Sequence, residues 1–325
     1  MEGSNAPRQG AQVMTVSGPL DAHAMGVTDA HDHLFMRSPA LAGQELDDLE
    51  LVVKEVSEAR ASGIATIVEM TPIGLGRRPD LMRAVAAATG VAVIGATGYH
   101  RDAHYPAGHW VHEASEELLL ERVLADIEQG MHPADWTGPA AALDPARAGA
   151  IKAGASYQRV TRSERRRLAA VGEASRRTGV AVLVHTEVGT VGAEIVDLLE
   201  AAGVAPGRII LAHLDRNPDA ELHVELAARG IFLEYDTLGR IKYRPESVLL
   251  DLVEAVLAAG HGDRLLLGLD LGQRDYFRAY DGGPGMRYLM TTFVPRLERR
   301  IGPDNVRRML VDNPAAAFAI GEANP

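Results

Sequence analysis

The sequence contains no cysteine. Disulfides, thiolate nucleophiles and thiolate metal sites are therefore excluded, and the absence fits a reducing compartment. Basic charge is also short: 33 Lys and Arg stand against 44 Asp and Glu, a net charge of −11. No nucleic acid and no anionic membrane is expected as a partner, although a local basic cluster can still grip a small anion. No run reaches the roughly 18 consecutive apolar residues of a membrane-spanning helix. The start, Met1-Glu2-Gly3-Ser4-Asn5, has no basic stretch ahead of an apolar one, so no secretory signal is read there and a cytoplasmic location is the expectation. No Gly-x-Gly-x-x-Gly follows the first apolar run, which weakens a dinucleotide-binding reading.

What is present is an ordinary globular composition. The 325 residues are 46% hydrophobic and 24% charged, enough to bury a large core without staples. Eight short apolar runs recur: Val27–Phe35, Ile64–Met70, Val91–Thr97, Ala150–Gly154, Val180–His185, Arg208–His213, Ile231–Tyr235 and Arg264–Asp270. Each reads as a strand buried on both faces. Amphipathic stretches fall between them, and most stop at a glycine, as helices with glycine C-caps do. Thr161-Arg162-Ser163-Glu164 spells a capping box at the start of one of them. Eight strands alternating with eight helices indicate an α/β fold, a single (β/α)8 TIM barrel, with a doubly wound open sheet as the alternative. Residues 1–12 read as a flexible tail and 13–325 as one barrel domain.

Six polar residues sit at the ends of apolar runs. His31 and His33 close the first run two residues apart, on one face of the strand. Lys152 lies near the end of the fourth run, His185 ends the fifth, His213 the sixth and Asp270 the eighth. In a barrel these ends form the C-terminal mouth, where catalytic groups collect. Imidazole and carboxylate suit zinc first, with manganese, cobalt or iron as alternatives. Four histidines and an aspartate are too many ligands for one tetrahedral ion and suit two ions. The natural division is His31, His33 and Asp270 on one, His185 and His213 on the other. A protonated Lys152 between two dications would be repelled. Driven neutral, it can take up carbon dioxide and become a bridging carbamate. The plainer reading is an ammonium paired with Asp270 in a metal-free barrel.

At this point the sequence resembles a known family. Thr28-Asp29-Ala30-His31-Asp32-His33-Leu34-Phe35, Ile151-Lys152-Ala153-Gly154, Val184-His185-Thr186, Leu211-Ala212-His213-Leu214-Asp215, Gly268-Leu269-Asp270 and Asn313-Pro314-Ala315 resemble, in order and spacing, the phosphotriesterase-like branch of the amidohydrolase superfamily. The resemblance runs from about Val16 to Phe318. It implies a carboxylated Lys152, a binuclear metal centre with a bridging hydroxide, Asp270 as both ligand and base, a hydrolase activity and a homodimer. The family usually has Glu between the first two histidines. Asp32 stands there instead and should point away from the metal side.

Other residues carry weaker readings. Tyr99 is read either as approaching a lactone ring, as a tyrosine near this place does in lactone-hydrolysing relatives, or as packing at the barrel rim. Lys242, Arg274 and Tyr276, with Arg240 and Arg244 as alternates, lie where barrels often hold a phosphate, and read either as a clamp or as ordinary rim charges. The clamp resembles that of the sugar-phosphate lactonase group, with Gln273 where that group has an arginine. Thr237 stands where efficient organophosphate hydrolases carry histidine and lipophilic-lactone hydrolases carry arginine. His100, His104, His109 and His112 follow no metal-ligand spacing and read as a solvated or substrate-facing loop. Glu187 and Asp215 are expected to orient the neighbouring imidazoles, Arg77 and Arg78 each to form a surface ion pair, with contact to substrate as the alternative, and His23, His132, His223 and His261 to be surface residues. The expected activity is a metal-dependent lactonase acting on a small, anionic sugar lactone. The alternatives are a phosphotriesterase or amide deacetylase on the same site, or a barrel that binds a ligand without turnover.

Overall fold

Alternation along a strand decides what faces the axis and what faces the helices. In β6 (Ala150–Ala155), Ile151, Ala153 and Ala155 pack outward into the layer between strands and helices, while Ala150 joins the cluster inside the ring. Lys152 shares the inward face of Ala150. The computed structural model describes residues 7–132 and 143–321.

The other barrel strands are β3 (Thr28–Asp32), β4 (Thr66–Glu69), β5 (Ala92–Gly98), β7 (Val182–Thr186), β8 (Ile209–Ala212), β9 (Phe232–Tyr235) and β10 (Leu265–Leu267). They form one parallel sheet in sequence order. It closes just past β10, where the N–H groups of Leu269 and Asp270 both donate to the carbonyl of His31 at 3.1 and 2.8 Å. Helices α1 (Leu49–Ser62), α2 (Pro79–Thr89), α3 (Glu116–Glu128), α4 (Arg162–Thr178), α5 (Gly192–Ala201), α6 (Ala220–Ala228), α7 (Glu246–Ala258) and α8 (Val294–Ile301) alternate with them. The fold is the expected (β/α)8 barrel. The capping box also forms: Glu164 N–H donates to Thr161 Oγ1 at 3.2 Å and Thr161 N–H donates to Glu164 Oε2 at 2.9 Å. No helix among the described residues is long and apolar enough to cross a membrane.

A hairpin of β1 (Gln12–Thr15) and β2 (Gly18–Asp21) precedes the barrel and was not expected. Val13 packs with Val68, Ile94, Leu183, Ile210, Phe232 and Leu266 inside the ring, joined there by Phe318 near the chain's end. This apolar plug fills the N-terminal half of the barrel and leaves polar side chains for the other half. Of the segment read as a tail, residues 1–6 lie outside the described residues. Ala11 accepts the N–H of Ala22 at 2.9 Å, and Gln12 pairs with Asp21.

Candidate active site

Each of the six strand-end residues is placed by the ladder it ends. His31 lies in β3 and His33 one residue beyond it, after a bulge between Asp29 and Asp32. Lys152 is brought up against the end of β5, where Gly98 pairs with it. A Cβ on Gly98 would come within 2.1 Å of the Lys152 carbonyl oxygen, so only glycine fits there. His213 and Asp270 follow the ends of β8 and β10 with left-handed φ of 64° and 49°. Non-glycine residues held there cost of order 1–3 kcal/mol each, strain that clusters at functional sites.

These side chains converge; the histidines and Lys152 are buried, and Asp270 is partly open at 16%. His33 Nε2 lies 3.4 Å and His31 Nε2 3.7 Å from Asp270 Oδ1. Lys152 Nζ is 3.0 Å from His31 Nε2. The rings of His185 and His213 stand 4.4 Å apart between centroids. The opposite nitrogens are engaged. His31 Nδ1 faces Glu234 Oε2 at 2.9 Å and Asp236 Oδ2 at 3.2 Å, and His33 Nδ1 faces Thr71 Oγ1 at 2.9 Å. His213 Nδ1 faces Asp236 Oδ1 at 2.7 Å, and His185 Nε2 faces Glu187 Oε2 at 2.7 Å. Such partners fix the orientation of metal-ligating imidazoles. Asp32 points away, accepting the N–H groups of His33 and Leu271 at 3.0 and 2.7 Å.

The electrostatics suit ligation, which needs neutral imidazole and ionised carboxylate. Burial, reinforced by Lys152, lowers His31 to about 4, and burial with Arg216 lowers His213 to about 3. Burial works to raise Asp270, but His213, Arg240 and His33 outweigh it and hold the carboxyl well below the usual range. Burial lowers the Lys152 ammonium to about 8, which enlarges its share of the neutral, nucleophilic amine.

A cavity of about 140 Å³ opens above this floor. On one side of it Lys242 Nζ donates to Tyr276 Oη at 2.8 Å. Arg240 and Arg216, neither read into the floor from sequence, reach Asp270 Oδ2 at 3.1 and 2.7 Å. Gln273 lines the cavity; Arg274 does not, because its guanidinium lies over Tyr280, 4.7 Å from the ring centroid. Tyr99 is likewise turned away: it is fully buried against Trp110, and its hydroxyl donates to the Leu119 carbonyl at 2.9 Å. The next residue, His100, takes the place in the wall, together with His104.

Three further expectations are corrected. Asp215 does not orient an imidazole; it accepts both donors of Thr237, and Asp236 takes the imidazole role. Arg77 is buried, bonded to Asp126 at 2.8 Å and the Ala96 carbonyl at 3.0 Å. His223 is buried, 2.7 Å from the Tyr235 hydroxyl. Asp236, Glu234 and Thr71 were missed as orienting partners. The signal available was their place at or just past the ends of β9 and β4.

The family model of the phosphotriesterase family matches residues 11–318. The chain belongs to the phosphotriesterase family. A phospho-furanose lactonase of Mycoplasmopsis agalactiae is 32% identical over 324 residues, covering 95% of this chain and 92% of the relative. An amidohydrolase structure from Mycoplasma synoviae superposes with a TM-score of 0.92 at 30% identity, covering 96% of this chain and 93% of that one. A lactonase structure from Listeria monocytogenes has a TM-score of 0.88 at 26% identity, covering 96% and 100%. This phosphotriesterase-family chain is a hydrolase acting on ester bonds, of the metal-dependent lactonase or phosphotriesterase-like kind.

The residues present fit divalent ions. Ligand bonds of about 2.0–2.1 Å in a tetrahedron require donor atoms about 3.3 Å apart. The His31, His33 and Asp270 donors approach this spacing, and their ligand atoms all lie within 4.8 Å of one another. A second group within the same spacing, His31, His213 and Asp236, is formed through the Nδ1 atoms, so Asp236 orients these rings from behind.

Proposed function

We propose that the chain is a binuclear lactonase whose substrate is a small sugar lactone carrying a phosphate. The observation that carries this reading is the Lys242–Tyr276 pair beside a cavity lined by His33, His185 and Asp270, with His31 and His213 packed against them. A phosphorylated substrate also accords with the name of the Mycoplasmopsis relative. His31, His33 and Asp270 would hold one divalent ion, zinc in the first instance, and His185 and His213 the other, with Lys152 between them as a carbamate. Bound there, the ions supply Lewis acidity and lower the pKa of water toward neutrality.

The protein's own groups do the remaining work. The neutral Lys152 amine adds to carbon dioxide and releases one proton, giving an N-carboxylate. Asp236 and Glu234 fix the His213 and His31 rings. Arg216 and Arg240 occupy Asp270 Oδ2 and leave Oδ1 toward His31 and His33. Asp270 accepts the proton of the attacking water and returns it to the leaving ring oxygen, so that one water is added across the ester bond. Lys242 and Tyr276 grip the phosphate. Arg240, whose guanidinium lies 5.3 Å from the Tyr276 ring centroid, supplies cationic charge in the same cavity wall.

Lys242→Ala tests this reading. It should raise KM about tenfold for a phosphorylated lactone, the effect of removing one charge-assisted hydrogen bond, and leave the unphosphorylated lactone unchanged. An equal effect on both overturns the clamp.

A further inference from the structure

His100 and His104 stand in the cavity wall, and no step above uses them. Their rings are stacked with centroids 3.8 Å apart, and the His100 centroid lies 4.7 Å from that of His185. His100 is buried, and its Nδ1 accepts the backbone N–H of Arg101 at 2.8 Å. A backbone N–H can only donate, so Nδ1 carries the lone pair and the neutral ring's proton sits on Nε2. His104 holds this ring in place. Its own Nδ1 is 3.0 Å from Ser38 Oγ, which accepts the Ala40 N–H at 3.2 Å, and its face covers that of His100.

Two consequences follow from the tautomer. A metal ion at His100 Nε2 would require an imidazolate, so this histidine pair is not a third metal site. Instead Nε2–H is a fixed donor on a cavity-lining ring whose other nitrogen is tied to the chain's own backbone. Its neighbour His185 belongs to the floor where the ester carbonyl is attacked, so the substrate oxygen within its reach is one beside that carbonyl.

We infer that His100 donates Nε2–H to the hydroxyl oxygen on the carbon next to the lactone carbonyl, and so selects α-hydroxy lactones. This inference rests on the lactonase reading. The test compares wild type and His100→Phe, which keeps the stack on His104 and lacks the N–H, on a phosphorylated pentono-γ-lactone and its 2-deoxy counterpart. Metal content is measured alongside. His100→Phe should lose about tenfold in kcat/KM on the hydroxylated lactone, mainly through KM. Wild type should lose as much on the 2-deoxy lactone, and combining the two changes should add little. Equal loss on both lactones, or no loss, overturns the inference.

A second readout needs neither the variant nor turnover. In wild-type protein with 15N-labelled histidine, His100 should be the Nε2–H tautomer, and its Nε2 resonance should shift with the hydroxylated product acid but not with the 2-deoxy acid. An Nδ1–H tautomer, or the same shift with both acids, contradicts the inference. Selective shifts in a metal-loaded protein that hydrolyses neither lactone would overturn the lactonase reading and leave the His100 contact standing.

Discussion

At and beneath the floor of the cavity His31, His33, His185 and His213 are buried, and each has one ring nitrogen engaged by a carboxylate or hydroxyl. At the rim Lys242 is exposed and Arg274 lies over Tyr280, outside the cavity. The floor inherits its geometry from the parallel ladder, whose register sets which side chain faces the axis. The rim inherits its geometry from loops, where a one-residue difference in path exchanges Gln273 for Arg274. Substitutions should therefore act in different currencies: metal content and turnover at the floor, apparent substrate affinity at the rim.

The largest effect is expected at the floor. His33→Ala should lower metal content, read by elemental analysis, from two ions toward one per chain and bring lactonase activity to background; activity retained with normal metal content would break the distinction. Next is Asp236→Asn, which leaves every direct imidazole in place but removes the charge behind His213 and His31. A loss of about 10- to 100-fold in metal affinity or activity is expected, read by metal-buffered titration. Tyr276→Phe should be smaller. Losing the hydroxyl that accepts from Lys242 should raise KM for a phosphorylated lactone about three- to fivefold without changing metal content. Arg274→Ala should be smallest, below about twofold in KM; a Lys242-sized effect would place Arg274 in the clamp after all.

The same division explains what could be read from the sequence. All eight barrel strands were legible because a strand buried on both faces must be apolar throughout. The six strand-end polar residues stood out against those runs. The β1–β2 hairpin was not legible: Gly18-Pro19-Leu20-Asp21 has neither an apolar run nor clean alternation. Residue type also does not disclose direction. Tyr99 and His100 both follow β5, yet one turns into the helix layer and the other lines the cavity. Asp215 and Asp236 both neighbour His213, one in sequence and one across the sheet, and only the one across the sheet reaches its ring. Arg77 looked like a surface residue because its partner, Asp126, is far away in sequence.

Metal analysis of purified protein, with intact-mass or crystallographic detection of carbon dioxide on Lys152, tests the central claim most directly. The account predicts two divalent ions per chain and a carboxylated Lys152, both lost together in Lys152→Ala. Protein that stays metal-free after incubation with zinc and bicarbonate, with an unmodified Lys152, would contradict it.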